Sequence, residues 1–235
     1  MILIAHRSGP GVYPEQSVAS ARNALKDGAD MVEMDVRQTK DGAPVICHDP
    51  DTLRMFGTGG NVDTLTLQEF LAMRHVTDRS YAPHTLEDVL SCGVKPLLLH
   101  LKVGGEQILT QLCGEIDRYG AQETTTFGIE RIDDAPVLRR GCPKSKQLAF
   151  MPSVDMLEEF AKLDIDHIRL WEGWVTQERI DAIHAAGKDA WIMTNNKDMG
   201  GTGYTTAEAL CRFREMGADG LLVNDVPFAR KALGI

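Results

Sequence analysis

The sequence has no apolar run approaching the ~20 residues that a helix needs to cross a bilayer. Its opening, Met1-Ile2-Leu3-Ile4-Ala5-His6, lacks the charged n-region and longer apolar core of a secretion signal. The cysteines at 47, 92, 113, 142 and 211 show no C-x-x-C spacing. An odd, scattered set of this kind points to reduced thiols rather than a disulfide framework. A basic surplus is missing too. The 25 Lys and Arg stand against 34 Asp and Glu, for a formal charge of −9. That balance argues against a nucleic-acid partner, whose phosphates demand a basic face, while leaving room for a local positive site and a small phosphate-bearing ligand. There is no linker or low-complexity run, and no Gly-x-Gly-x-x-Gly follows the first apolar stretch. The expectation is one domain over 1–235, soluble and cytoplasmic, with no integral membrane segment and an oligomeric state the sequence leaves open.

What is present is an alternation. Hydrophobic residues at 43% and charged ones at 25% describe an ordinary globular chain that can bury a real core. Apolar runs begin near residues 2, 31, 97, 124, 147, 167, 189 and 220, and each is followed by a helical pattern. The helices are expected at 15–25, 85–91, 106–118, 131–140, 154–162, 176–186 and 205–216, with one more at the end. Eight strand–helix units without a linker predict an α/β chain folded as a (β/α)8 TIM barrel. The regular order breaks after the second strand. A short strand at 44–47, a loop at Gly57-Thr58-Gly59-Gly60 and a helix at 66–73 read as a small insertion of about 50–84. Those glycines match no phosphate-loop spacing and read as a plain turn.

Within the run Met31–Val36, Glu33 and Asp35 stand two residues apart, so a strand points both the same way. Two unpaired carboxylates buried on one face are costly unless a proton or a cation joins them. The plain alternative is a half-exposed strand with two solvated acids. Against it stands the company these acids keep. His6-Arg7, His48-Asp49, His100 with Lys102, Thr194 to Asn196, and Asn224-Asp225 also stand at the ends of apolar runs, and barrels of this type build active sites at the C-terminal ends of their strands. Acids, imidazoles and fixed cations at one mouth point to metal-assisted chemistry on an anion. The other histidines, His75, His84, His167 and His184, read as surface or structural. Cys47 faces away from His48 by the period of a strand and reads as core, and Asp49 reads as a partner that orients His48.

These residues carry a family resemblance. His6-Arg7-Ser8, Pro14-Glu15-Gln16-Ser17, Glu33-Met34-Asp35, Asp41-Gly42 and His48-Asp49 resemble, in order, the His-Arg-Gly, Pro-Glu-Asn-Thr, Glu-x-Asp, Asp-Gly and His-Asp of the glycerophosphodiester phosphodiesterase family. Thr85-Leu86-Glu87, Met193-Thr194-Asn195-Asn196 and Gly217-Ala218-Asp219-Gly220 extend the likeness along the chain. The resemblance implies metal-dependent hydrolysis of a glycerophosphodiester to sn-glycerol 3-phosphate and an alcohol. His6 and His48 would form the acid–base pair, and Glu33 and Asp35 would hold Mg²⁺ or Ca²⁺. Arg7, Glu15, Lys102 and Asn196 would bind or orient the substrate. The family's Glu-x-Lys on the third strand stands here as His100-Leu101-Lys102. Three readings are open: His100 as a ligand that shifts preference toward Mn²⁺, Zn²⁺ or Fe²⁺, His100 as a polar neighbour of the ion, or a lost metal site. Trp171 and Trp174, with Met193 in place of a family tryptophan, read either as walls of a reshaped alcohol pocket or as packing. Hydrolysis of a different diester, such as a sugar-phosphodiester or a lysophospholipid, and a non-catalytic barrel that binds phosphorylated ligands are the competing functions.

Overall fold

A computed structural model describes all residues, 1–235. Strand β1 (Ile2–Ala5) leads through a short turn into helix α1 (Val18–Lys26), and β2 (Met31–Gln38) follows. The excursion then comprises β3 (Pro44–Ile46) and the short helices α2 (Leu53–Phe56) and α3 (Leu67–Leu71). Helix α4 (Leu86–Ser91) returns the chain to β4 (Leu97–Leu101). The alternation resumes with α5 (Glu106–Arg118), β5 (Thr125–Ile129), α6 (Asp134–Gly141), β6 (Lys146–Ala149), α7 (Leu157–Ala161), β7 (His167–Trp171), α8 (Gln177–Ala185) and β8 (Asp189–Met193). A two-stranded excursion, β9 (Asn195–Asn196) and β10 (Gly201–Thr202), precedes α9 (Ala207–Glu215), β11 (Gly220–Val223) and α10 (Val226–Leu233).

The parallel strands run in the order β1-β11-β8-β7-β6-β5-β4-β2, and β1 pairs with β2 to close the barrel. The expected (β/α)8 architecture stands, with β3 added antiparallel to the end of β2. Closure leaves no edge strand exposed among the eight. The main apolar cluster of 47 residues fills the space between barrel and helices. A second cluster of seven, including Ile4, Leu98, Leu148 and Trp191, plugs the barrel interior. The excursion carries its own small core of Val45, Cys47, Met55, Phe56, Val62 and Phe70. Cys47 therefore lies where its strand period puts it, and burial pushes its thiol up to about 12, which keeps it inert at neutral pH.

Six of the ten helices start on a side-chain cap. Thr85 accepts the Asp88 N–H while Asp88 reaches back to the Thr85 N–H. The first helix departs from its expected start at 15. Ser17 caps it by accepting the Ser20 N–H, and Gln16 has a left-handed φ of 60°, which a helix cannot contain. Pro14–Ser17 is thereby released to form the barrel mouth.

His75 is 2% exposed, packs edge-on against Phe56 and leaves its Nε2 without a partner. Burial, with His84 nearby, lowers its pKa from 6.5 to about 4. Because the folded value lies below the unfolded one, this contribution is complete above pH 6.5 and is lost as pH falls through 4. Thermal unfolding between pH 7 and 4 is expected to be less pH-dependent in His75→Leu than in the wild type. The slope should shrink by up to about 1.4 kcal/mol per pH unit, one proton's worth. An unchanged slope would show that His75 does not sense acid.

Candidate active site

The turn after β1 brings its side chains inward at a conformational cost. Arg7 and Ser8 both have left-handed φ, 49° and 63°, where residues with a Cβ are disfavoured by about 1 kcal/mol or more. Ser8 stands where the resembling pattern has glycine, the residue without that penalty. The turn is held by the Arg7 N–H, which donates to Glu33 Oε2 at 2.6 Å. Glu33 and Asp35 are 1% and 0% exposed, so the solvated-acid alternative is excluded. Gln16 clamps Asp35 reciprocally: its Nε2 donates to Oδ2 at 2.6 Å, and its Oε1 accepts the Asp35 N–H at 3.0 Å.

Register brings the third member of the group. Asp35 and His100 are direct neighbours across β2 and β4. One oxygen each of Glu33 and Asp35 and one nitrogen of His100 lie within 4.8 Å of one another. His100 Nδ1 is 3.1 Å from Asp35 Oδ1 and 3.8 Å from Glu33 Oε1. Its other nitrogen, Nε2, is 2.9 Å from Glu130 Oε1. A carboxylate faces each ring nitrogen and Lys102 Nζ lies 3.2 Å from Nε2, so without an ion the proton can sit on Nδ1 toward Asp35. With a cation among the three groups, Nδ1 would offer it the lone pair and the proton would rest on Nε2 against Glu130. The residues fit a divalent cation. Asp35 Oδ1 is buried and accepts no hydrogen bond. Burial and the Asp35 charge raise the Glu33 pKa well above its ordinary value, so this pair of acids is short of positive charge. Asp35 is held low despite its burial, chiefly by His100.

Both remaining histidines have defined tautomers. Asn224 gives its Nδ2 to Thr202 O, which turns Oδ1 toward His6 Nδ1 at 2.8 Å. His6 therefore donates from Nδ1 and keeps Nε2 bare. Burial, with Arg7 alongside, drops its pKa from 6.5 to about 3, so the ring is neutral at working pH. His48 lies between Asp49 Oδ1, 2.7 Å from Nδ1, and Arg7 Nη2, 2.8 Å from Nε2. A guanidinium only donates, so Nε2 accepts and Nδ1 carries the proton. Burial lowers His48 below its ordinary value as well.

His6, Arg7, Asp35, His48, His100 and Lys102 line one cavity of about 380 Å³, with Glu130, Phe150, Arg169 and Trp171 among its other walls. Glu15 stays outside that wall and acts on it through Arg7. Its Oε2 lies 3.7 Å from Arg7 Nη1 and its Oε1 accepts from Arg54 at 2.6 Å. Lys102 Nζ is 3.1 Å from Glu130 and 3.7 Å from Asp35. Asn196 lies off this wall. Its side chain accepts the Asp198 N–H at 3.0 Å and caps a turn, and the cavity wall is supplied by Thr202 of the paired strand instead. The physical reason is the tight β9–β10 hairpin, in which Asn196 opposes Gly201 and local capping takes its side chain. A neighbouring cleft of about 420 Å³, lined by Pro10 to Glu15, Arg54 and His75, contains none of the clustered acids or site imidazoles.

Glu130, Gln16 and Arg169 are site residues to which sequence reasoning gave no role, and Asn224, flagged there by its place at a strand end, gains its role at His6. Glu130 follows directly on β5, the position at which the other site residues stand on their own strands. Gly128 matters for the same wall: a Cβ there would meet the Phe150 ring at 2.5 Å. Its absence lets Phe150 stack on His100 with centroids 3.7 Å apart.

A (β/α)8 barrel whose mouth gathers a metal-type triad, two imidazoles and fixed cations belongs to the class of phosphate-ester hydrolases. Residues 6–128 match the glycerophosphoryl diester phosphodiesterase family, and the chain belongs to that family of phosphodiester hydrolases. A Bacillus subtilis protein that bears the name "Putative glycerophosphodiester phosphodiesterase YhdW" is 29% identical across 97% of this chain and 95% of its own length. A lysophospholipase D of Mus musculus is 26% identical over 55% of this chain, a stretch that covers 43% of that protein. Among solved structures, an Oleispira antarctica phosphodiesterase in complex with the product sn-glycerol-3-phosphate shares the fold. Its TM-score is 0.81 at 19% identity, over 100% of this chain and 97% of that one. A glycerophosphodiester phosphodiesterase from Parabacteroides distasonis gives 0.84 at 18% identity, over 99% and 96%. No helix of the chain is long and apolar enough to cross a membrane.

Proposed function

We propose that this chain hydrolyses a glycerophosphodiester to sn-glycerol 3-phosphate and an alcohol, with a divalent cation held by Glu33, Asp35 and His100. The carrying observation is the convergence of three ligand atoms within 4.8 Å beside an unsatisfied Asp35 oxygen, in the cavity lined by His6 and His48. The product found with the Oleispira antarctica phosphodiesterase, which has the same fold, supports the reaction.

When bound, the cation supplies positive charge to the phosphate and polarises a substrate oxygen. Arg7 contributes the planar fork that suits two non-bridging phosphate oxygens, and releases His48 Nε2 when it turns to them. Lys102 adds a second positive charge from the adjoining strand. His6, kept neutral by burial and aimed by Asn224, takes at Nε2 the proton of the attacking water. Once Arg7 turns away, His48 Nε2 takes up a proton from solvent, with Asp49 at Nδ1 stabilising the imidazolium, and that Nε2 proton goes to the departing alkoxide. The mixed carboxylate–imidazole set favours Mn²⁺, Zn²⁺ or Fe²⁺ over the all-oxygen preference for Mg²⁺ or Ca²⁺.

The test is enzyme-coupled detection of glycerol 3-phosphate from a small panel of diesters. The protein would be stripped with EDTA and then reloaded with each ion in turn. Activity is expected to vanish on stripping and to return best with Mn²⁺, Zn²⁺ or Fe²⁺. In His100→Glu the order is expected to move toward Mg²⁺ and Ca²⁺. Full turnover by the stripped protein, or an ion order that His100→Glu leaves unmoved, would defeat the metal assignment.

A further inference from the structure

Three aromatic rings converge on one guanidinium in the cavity wall. The Cζ of Arg169 lies 5.1 Å from the centroid of Phe150, 4.4 Å from Trp171 and 5.6 Å from Trp174. Arg169 projects inward from the middle of β7 and is 3% exposed. Its Nε and Nη1 are buried and donate to nothing. The carboxylate whose charge reaches it is Glu130, already engaged by His100 and Lys102. Burial lowers the Arg169 pKa from 12.5 to about 9, which leaves the group charged at neutral pH. An unpaired buried cation is costly, and its cost falls when an anion arrives.

Its position tells which part of a substrate it would meet. Phe150 stacks on His100 on one side and faces Arg169 on another, so Arg169 stands one ring away from the metal triad. The phosphate of a diester is already provided for by the triad, Arg7 and Lys102. What reaches Arg169 is an arm of the diester. A quaternary ammonium there meets a fixed positive charge and ring faces that the guanidinium already covers, so cation–π attraction is turned against it. A neutral alcohol leaves the buried donors unmet.

We propose that Arg169 is a specificity-determining residue that receives a second anionic group, a carboxylate or phosphate carried on the alcohol arm, and that the preferred substrates are glycerophosphodiesters of acidic alcohols. This rests on the phosphodiesterase reading above.

The test compares four diesters of sn-glycerol 3-phosphate: with glycerate (carboxylate arm), with inositol 4-phosphate (phosphate arm), with glycerol (neutral) and with choline (cationic). For the wild type, kcat/KM is expected to favour either acidic arm over choline by at least about 10-fold, from a charge-assisted contact made in a desolvated site. Arg169→Met, which keeps length and packing among the rings, should cut that ratio by about 10- to 100-fold. Arg169→Lys should retain most of it, and Arg169→Gln carries the same expectation as Arg169→Met should the latter fail to fold. A structural role alone would lower all four substrates together and leave the ratio unchanged. Calorimetric binding of the same diesters to His48→Ala, with and without Arg169→Met, reads the preference without turnover. If no diester is hydrolysed, the phosphodiesterase reading fails, and the binding ratio still decides Arg169. A wild type that prefers choline, or a ratio that Arg169→Met leaves unmoved, overturns the proposal.

Discussion

Replacing Glu33 by glutamine is expected to lower kcat by about 10³-fold, the size of the several kcal/mol a bound cation supplies to a phosphate transition state. The same change should leave the metal-free fold as stable as the wild type or more so. Glu33 is buried beside Asp35, and its raised pKa reports the cost of holding two carboxylates there. A neutral amide removes that repulsion while its oxygen still accepts the Arg7 N–H that pins the first turn. The two effects separate function from folding. Differential scanning calorimetry with and without Mn²⁺ makes this visible, because a ligand at about 100 times its Kd adds about 2.7 kcal/mol. The ion-dependent rise in Tm should be present in the wild type and absent in Glu33→Gln. A variant that keeps both that rise and full activity would remove Glu33 from the site.

His48→Ala is expected to cost about 10²- to 10⁴-fold in kcat on alkyl diesters, the usual worth of a positioned general acid. The loss should shrink to less than about 10-fold on bis(4-nitrophenyl) phosphate, because a stable phenolate departs without a proton and needs no acid. His6→Ala should be impaired on both substrates, since its task is to take a proton from the attacking group whatever leaves. The asymmetry follows from the two environments. His6 is held neutral, with a pKa of about 3, by its burial and by Arg7 alongside. His48 is less deeply buried, and the carboxylate of Asp49 sits on its Nδ1, ready to stabilise the imidazolium. Equal losses on both substrates for both variants would refute this division of roles.

Strand order and the barrel were legible because each segment states its own period. Buried parallel strands read as apolar runs, and their helices as stripes of apolar residues with caps. Thr85 with Asp88 shows how local that information is: the capping box lies within four residues. Glu33 and Asp35 were legible for the same reason, since a strand puts alternate residues on one face whatever surrounds it. Asn196 shows where local reading stops. Its neighbours suggested a site residue, yet in the β9–β10 hairpin its side chain caps the turn that follows it.

By itself the sequence determined the eight-unit alternation, the shared face of the two acids, and the placing of His6, Arg7, His48, His100 and Lys102 near strand ends. Period and chain direction are enough for that, and both are local. Only the tertiary structure decided the partners. Asp35 meets His100, 65 positions further along the chain, because β2 pairs with β4 in one register. Asn224 sets the His6 tautomer because barrel closure brings the last strand beside the first. Arg169 became a cation without a counter-ion only when the rings of Phe150, Trp171 and Trp174 closed around it. Burial, charge pairing and tautomer are properties of neighbours distant in sequence, and folding chooses those neighbours.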